Sequence, residues 1–212
     1  MSLTHLIWRC SIILNQKIIS KKEDWNFLDF GEIKINKIYE EVTRFYSEWL
    51  IDTSRQNFFE THRHTFSYEM MSMDYMTGID LPLVCQIKRS LVSSESNIEL
   101  QNIYDNLEQL VNGKIIRSEF ISMNPKSRIR THKDRSDILY VARRFHIPIK
   151  TNAGVIFITN GETRHLEQGR MYELNNIKYH SVYNNSDQDR IHLIVDVLPK
   201  KYCNRLEYTN EA

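Results

Sequence analysis

Ser127-Arg-Ile-Arg-Thr-His-Lys-Asp134 reads as a β-strand, and a strand sends alternate side chains to one face. On that reading His132 and Asp134 point the same way and Lys133 the other. A histidine and a carboxylate so placed can grip one metal ion from one side. A second histidine from a neighbouring strand completes a two-histidine, one-carboxylate facial triad, which leaves coordination positions open in the manner of non-haem Fe(II) oxygenases. His180 is the candidate for that histidine. The competing readings are a surface accident at His-x-Asp and a buried core histidine at 180.

Two further residue pairs give the triad company. Arg144 and His146 alternate in Arg-Arg-Phe-His-Ile-Pro-Ile, and Arg190 and His192 alternate in Asp-Arg-Ile-His-Leu-Ile-Val-Asp-Val. In the latter run Ile191, Leu193, Val195 and Val197 make the opposite, apolar face. Strands that gather histidine, arginine and aspartate on one face build a costly interior unless something anionic or metallic fills it. Arg130 stands two before His132, so on a regular strand it faces the same interior and suits an anionic group such as an amino-acid carboxylate. A β-bulge would turn it outwards. Arg130 is therefore the expected substrate-binding residue, conditional on a regular strand.

The run His132-x-Asp134, Arg144-x-His146-Ile-Pro-Ile, Gly154-Val-Ile-Phe, Gly169, Asn175-Asn176, His180-x-Val-x-Asn184 and Arg190-Ile-His-Leu resembles the aspartyl/asparaginyl β-hydroxylase family of Fe(II)/2-oxoglutarate dioxygenases, which also holds bacterial free-proline hydroxylases. The resemblance covers roughly residues 115–198. It implies a double-stranded β-helix (a jelly-roll or cupin barrel), with Fe(II), 2-oxoglutarate and oxygen as requirements. It implies His132, Asp134 and His180 as the metal ligands. Arg190, ten positions after His180, fits the family's spacing for the arginine that pairs with the 2-oxoglutarate C5 carboxylate. By the same resemblance Arg144 and His146 contact 2-oxoglutarate or the substrate carboxylate, an inter-strand ion-pair layer being the alternative. His192 is in phase with Arg190 and is expected to pack beside it at the cofactor. Animal aspartyl hydroxylases of the family lack the carboxylate ligand. The presence of Asp134 makes this chain more similar to the bacterial amino-acid hydroxylases.

Composition narrows the partners. The chain has 212 residues, 41% hydrophobic and 26% charged, with a net charge of +1, which is the balance of one ordinary globular domain. Nothing in it calls for nucleic acid or a membrane surface, and no run is long and apolar enough to span a bilayer. The partners expected are a small-molecule substrate and oxygen, with the oligomeric state open. Cys10, Cys85 and Cys203 are odd in number and far apart, so a disulfide framework or zinc ribbon is not expected and a cytoplasmic location is the default. The opening residues lack a basic n-region and are interrupted by Arg9, and are read as part of the chain rather than a signal peptide.

The elements that must position these residues fall in two parts. Asn36 is a plausible N-cap for a helix from Lys37 to about Ile51, with Ile38, Val42, Phe45 and Trp49 as its apolar stripe. A second helix runs from Ser96 to Gly113, burying Ile98, Ile103, Leu107, Leu110 and Val111 and stopping at the glycine. Between them Thr65–Met71 is read as a strand and Gly78–Pro82 as a turn. His62, His64 and Tyr68 invite a metal reading, with a polar strand edge as the simpler one. Ser11-Ile-Ile-Leu is an isolated apolar run. From Lys114 onward, seven or eight short strands follow, with a polar loop from Asp134 to Tyr140, a hairpin at Asn160-Gly161 and a turn at Gly169. His165 lies in a polar hairpin and is expected to be exposed. The expected architecture is α+β: a jelly-roll barrel over 114–198, N-terminal helices and flanking strands over 1–113 packed on one face, and a charged tail over 199–212, mobile at its end, all one domain.

Three functions fit these readings: hydroxylation of a free amino acid or small derivative, hydroxylation of an Asp, Asn or Pro residue in a polypeptide, and a non-enzymatic cupin-like protein that binds a metal or small acid.

Overall fold

The computed structural model describes residues 24–45, 56, 60–73 and 82–210. The expected apolar run at Ser11, the end of the first helix and the turn at Gly78 lie outside those residues. Twelve strands are described: β1 (Phe27–Glu32), β2 (Thr65–Met73), β3 (Leu83–Ile87), β4 (Gly113–Met123), β5 (Ser127–His132), β6 (Arg143–Lys150), β7 (Val155–Thr159), β8 (Glu162–Arg164), β9 (Arg170–Leu174), β10 (His180–Asn184), β11 (Arg190–Pro199) and β12 (Leu206–Asn210). Three helices accompany them: α1 (Asn36–Arg44), α2 (Ser94–Val111) and α3 (Asp137–Val141).

The strands form two sheets. One has the order β1-β9-β6-β11-β4-β2-β3-β12 and the other β5-β10-β7-β8. The four strands β9-β6-β11-β4 oppose the four of the smaller sheet, and Met123, Ile129, Val155, Phe157, Tyr172, Leu174 and Val182 from both sheets make one buried cluster between them. This is the jelly roll the resemblance implies. Every barrel strand comes from 113–199, and the segments before and after widen the larger sheet at its two edges.

Alternation decides what each face of the larger sheet does. On β11 the residues Ile191, Leu193, Val195 and Val197 join Phe145, Ile147 and Ile149 of β6 and Phe120 of β4 in a core with α1 and α2. Their neighbours Arg190, His192 and Asp196 face the barrel interior, all at most 1% exposed. The helical side is the apolar foundation that holds the polar face in register.

The two long helices cap each other. Glu99 of α2 accepts from the Lys37 and Ile38 backbone N–H groups at 2.7 and 3.2 Å, in the first turn of α1. Glu41 of α1 accepts from Val92 and Ser93 at 2.5 and 2.9 Å, just ahead of α2. Each acid thus satisfies donors that a helix start leaves without a partner. The cap residue of α1 is Ile35 rather than Asn36, and it makes no side-chain capping bond, because Glu99 supplies the acceptors from outside. Ser93 caps α2, its Oγ accepting from Ser96 N at 3.1 Å.

Other expectations need correction. Ile98 is 62% exposed, and Leu100 takes its place in the core beside Ile103, Leu107 and Val111. The left-handed C-cap of α2 is Asn112, φ 49°, and Gly113 already begins β4. The stretch 134–140 contains α3, capped by Ser136 Oγ on Leu139 N at 3.1 Å. The C-terminal tail adds a strand as far as Asn210: β12 pairs in parallel with β3, Leu206 opposite Leu83 and Asn210 opposite Ile87.

Candidate metal centre

His132, Asp134 and His180 come together. One ligand atom from each lies within 4.8 Å of the others, and among the described residues this is the group of histidine, cysteine and acid side chains that could hold a metal. The route differs from a regular strand. β5 ends at His132, and Asp134 sits beyond it, its backbone N–H donating to Asn176 O at 3.1 Å. His132 pairs with His180 across β5 and β10, and Ile129 pairs with Val182, so β5 carries one residue more than β10 between these pairs.

That extra residue is a bulge, and it corrects the expectation for Arg130. Ile129 and His132 both face inwards, while Arg128, Arg130 and Thr131 are exposed. Arg130 is 59% exposed at its side chain and pairs with Glu60 at 2.7 Å. Its inward placement was the whole argument for a substrate role, and that argument falls. Its backbone does matter locally: Arg130 O accepts from His132 Nδ1 at 2.8 Å. The Glu60 pair also holds the turn Glu60–His62 against β5, where the His62 ring meets His132 edge-on at 5.6 Å. His64 is exposed and Tyr68 packs against the helical core, so His62, His64 and Tyr68 form no cluster.

Both histidines of the triad have a fixed tautomer. His180 Nδ1 donates to Lys178 O at 2.9 Å, as His132 Nδ1 does to Arg130 O, because a carbonyl can only accept. Each Nε2 therefore keeps its lone pair for a ligand, the arrangement that metal-bound histidines adopt. Burial pushes the His180 imidazole down to about 4, with His132 adding to the fall against the pull of Asp134. Burial works against ionising Asp134, but the Arg144 guanidinium, His180 and the Asn176 amide hold it at about 2. At neutral pH His180 is therefore a neutral imidazole and Asp134 a carboxylate.

The remaining expected residues line the interior beneath the triad. Arg190 is 1% exposed, with its guanidinium 5.3 Å from the Phe157 ring centre and its Nη2 on His192 Nδ1 at 2.9 Å. His192 stacks on Phe157 at 5.5 Å and 10°, and His146 meets both rings edge-on at 5.6 and 5.9 Å. Both ring nitrogens of His146, Nε2 of His192 and Oγ1 of Thr159 are buried with no hydrogen-bond partner among the described residues. His146 and His192 are held well below the usual histidine range, by burial first and then by Arg190. Arg144 is the residue committed elsewhere: it ion-pairs with Asp134 and Asp196, the inter-strand alternative foreseen for it. His165 is half-buried, its Nδ1 on Val155 O at 2.9 Å.

Sequence reasoning missed Asp196 and Thr159 and gave Asn176 no role. Asp196 had a signal, since it is in phase with Arg190 and His192 in an otherwise apolar run. Thr159 is in phase with Val155 and Phe157 and opposite His180. Asn176 reaches Asp134 from a loop, where no periodicity can point to it.

The sequence profile of the aspartyl/asparaginyl beta-hydroxylase family matches residues 91–199, just over half of the chain. A prolyl-4-hydroxylase from Pseudomonas putida shares the fold at a TM-score of 0.56 and 12% identity, over 84% of this chain and 94% of that one. The non-haem monooxygenase ThoJ, in its nickel complex, does so at 0.51 and 10%, over 82% and 74%. A 2OG-Fe(II) oxygenase family protein from Burkholderia pseudomallei is a looser likeness, at 0.44 and 13% over 63% of this chain, which spans 66% of that one. No curated protein matches the chain in sequence. A jelly roll with a two-histidine, one-carboxylate cluster at one end of its interior is the frame of a non-haem oxygenase. The chain belongs to the aspartyl/asparaginyl β-hydroxylase family and is an oxygenase of the hydroxylase kind. No helix among the described residues is long and apolar enough to cross a membrane.

Proposed function

We propose that the protein is an Fe(II)- and 2-oxoglutarate-dependent hydroxylase of a free amino acid or small amino-acid derivative. The observation that carries the reading is the convergence of three ligand atoms within 4.8 Å, with both histidines turned Nε2-first by backbone carbonyls. His132, Asp134 and His180 would hold the iron. Bound there with 2-oxoglutarate, it supplies oxygen activation coupled to decarboxylation of the oxoacid to succinate and carbon dioxide, one oxygen atom going to succinate and the other to the substrate.

The chain's own residues supply orientation and dryness. Arg190 offers a planar, permanently charged fork to the distal carboxylate of the oxoacid. His146 is neutral and buried, and presents one N–H beside it. Phe157, 1% exposed, walls this pocket and keeps water from competing for the same donors. The catalytic unit is then 114–198, with the helices of 1–113 as its support. The retained carboxylate ligand favours an amino-acid substrate, since this is the feature that the family's animal members lack and its bacterial ones keep.

A succinate-release screen of the amino acids with Fe(II), 2-oxoglutarate and ascorbate tests the reading. One or more amino acids should stimulate release and gain an oxygen atom. Stimulation by Asp-, Asn- or Pro-containing peptides alone would move the substrate to a polypeptide. Asp134→Ala should abolish turnover while the fold survives; wild-type turnover in that variant would remove Asp134 from the ligand set.

A further inference from the structure

The Asp134 carboxylate is divided between two surroundings. Its Oδ1 lies 3.9 Å from His132 Nε2, on the side where the ligand atoms converge. Its Oδ2 accepts from Arg144 Nη1 at 2.5 Å and from Asn176 Nδ2 at 2.8 Å. Arg144 is itself fixed. Its Nε and Nη2 donate to Asp196 Oδ1 and Oδ2, both at 2.8 Å, the fork-on-carboxylate geometry that sets orientation as well as distance. Asp196 also takes Arg117 Nη1 at 3.3 Å, and Arg117 pairs with Glu119. Charges of alternating sign thus run from Asp134 through Arg144, Asp196 and Arg117 to Glu119. They link the loop after β5 to strands β6, β11 and β4.

We infer that Arg144 is the positioning residue of the Asp134 carboxylate rather than an anchor for a bound acid, and that Asp196 is the post that holds it. The inference rests on the metal-site reading above. A free aspartate turns easily about its terminal torsion, which is broad and two-fold, and can present either oxygen or both. Here the guanidinium and the Asn176 amide occupy Oδ2, so one oxygen in one orientation is left for the metal. The positions that a second carboxylate oxygen would take stay available to the oxoacid and to oxygen. Arg144 is nearly buried between two acids, and pairing it with an incoming carboxylate would break bonds that already neutralise it.

Cobalt binding followed by visible absorption and calorimetry tests this without turnover. Asp196→Asn should weaken Co2+ binding by about 10–100-fold, as loss of a group supporting a metal ligand does. The 2-oxoglutarate affinity of the Co2+-saturated variant should stay at the wild-type value. Arg144→Lys, which keeps the charge but loses the fork, should fall between the two in Co2+ affinity. Asn176→Ala removes only the second donor to Oδ2, should weaken Co2+ less than Asp196→Asn does, and serves if that variant does not fold. Wild-type Co2+ affinity in Asn176→Ala and Arg144→Lys would overturn the inference. So would an Arg144→Lys protein with intact Co2+ affinity and weakened 2-oxoglutarate binding, which would make Arg144 an anchor. If His180→Ala binds Co2+ as the wild type does, the metal-site reading itself fails, and the inference with it. A site lost in His180→Ala but untouched in the other variants sinks the positioning role alone.

Discussion

Arg190 Nη2 lies 2.9 Å from Nδ1 of His192, two residues along the same strand, and this contact settles where the histidine carries its proton. A guanidinium has no acceptor, so Nδ1 must accept and the neutral ring bears its hydrogen on Nε2. That N–H is buried and has no partner among the described residues. A buried donor left without an acceptor costs roughly 1–3 kcal/mol, which is recovered if a ligand brings the acceptor. His192→Phe keeps a flat ring against Phe157 but removes the donor. It should raise the 2-oxoglutarate dissociation constant about tenfold, measured by calorimetry on the Co2+-loaded protein. An unchanged value would leave His192 as packing for Arg190.

Arg190 should matter more. It is 1% exposed and carries a full charge into the interior. Truncating one partner of a buried charge pair costs on the order of 2–5 kcal/mol, so Arg190→Ala should weaken 2-oxoglutarate binding by at least roughly 30-fold. Arg190→Lys restores the charge without the fork and should recover only part of that. Titration of the two variants beside wild type checks the order. Wild-type affinity in the alanine variant would take Arg190 out of the site.

Three buried histidines set the acid sensitivity of the metal-free protein. His146 and His192 are held well below the usual range, by burial first and then by neighbouring arginines, and His180 sits at about 4. In the unfolded chain each titrates near 6.5. Below that pH the unfolded state takes up protons that the folded state refuses, so stability falls as pH drops from 6.5 towards 4. Each histidine contributes a slope of about 1.4 kcal/mol per pH unit, and three together about 4. Asp134 has the same direction of dependence in a lower window: its contribution is present above the unfolded value near 3.9 and is lost as pH falls through about 2. Urea midpoints of the metal-free protein between pH 4.5 and 7.5 should show the histidine slope, and His192→Phe should lose about a third of it. A flat profile would mean that these rings accept protons in place.

The sequence displayed the barrel face by its alternation. Arg190 and His192, and Arg144 and His146, declare their side of β11 and β6 because the residues between them are apolar and must enter the helical core. Alternation fails where a strand gains a residue. The bulge between Ile129 and His132 turned Arg130 to solvent, and nothing in Ser-Arg-Ile-Arg-Thr-His marks it, since its cause is the register with β10. The triad survived because the extra residue lies ahead of His132, which still pairs with His180 and has its Nδ1 on the Arg130 carbonyl. The partners of Arg144 were equally hidden: Asp196 lies 52 residues away and Asp134 belongs to a loop, so only the closed barrel shows that this arginine is already occupied. Helix ends were misplaced for a related reason. Asn36 looked like a cap, but the acceptor that α1 uses is Glu99, 62 residues beyond Lys37 and 61 beyond Ile38, whose N–H groups it takes.

Gly113 tests a packing constraint far from the chemistry. Asn112 completes the left-handed turn at the end of α2, φ 49°, so Gly113 is not needed there for its conformational freedom. It is needed for space. It pairs with Pro199 at the end of β11, and a Cβ placed on it would meet Leu198 O at 2.3 Å, Leu198 C at 2.9 Å and Pro199 Cα at 3.1 Å. All three are backbone atoms, so no side chain can swing aside, and the ends of β4 and β11 would have to part. Gly113→Ala should therefore destabilise the fold by roughly 1–3 kcal/mol, as overpacking does. Asn112→Gly should be near neutral, because it relieves the positive φ at the expense of a freer unfolded chain. Urea denaturation of both variants makes the comparison, with 2-oxoglutarate affinity expected to survive in each. A Gly113→Ala protein with the wild-type midpoint would show that the two strand ends separate without cost.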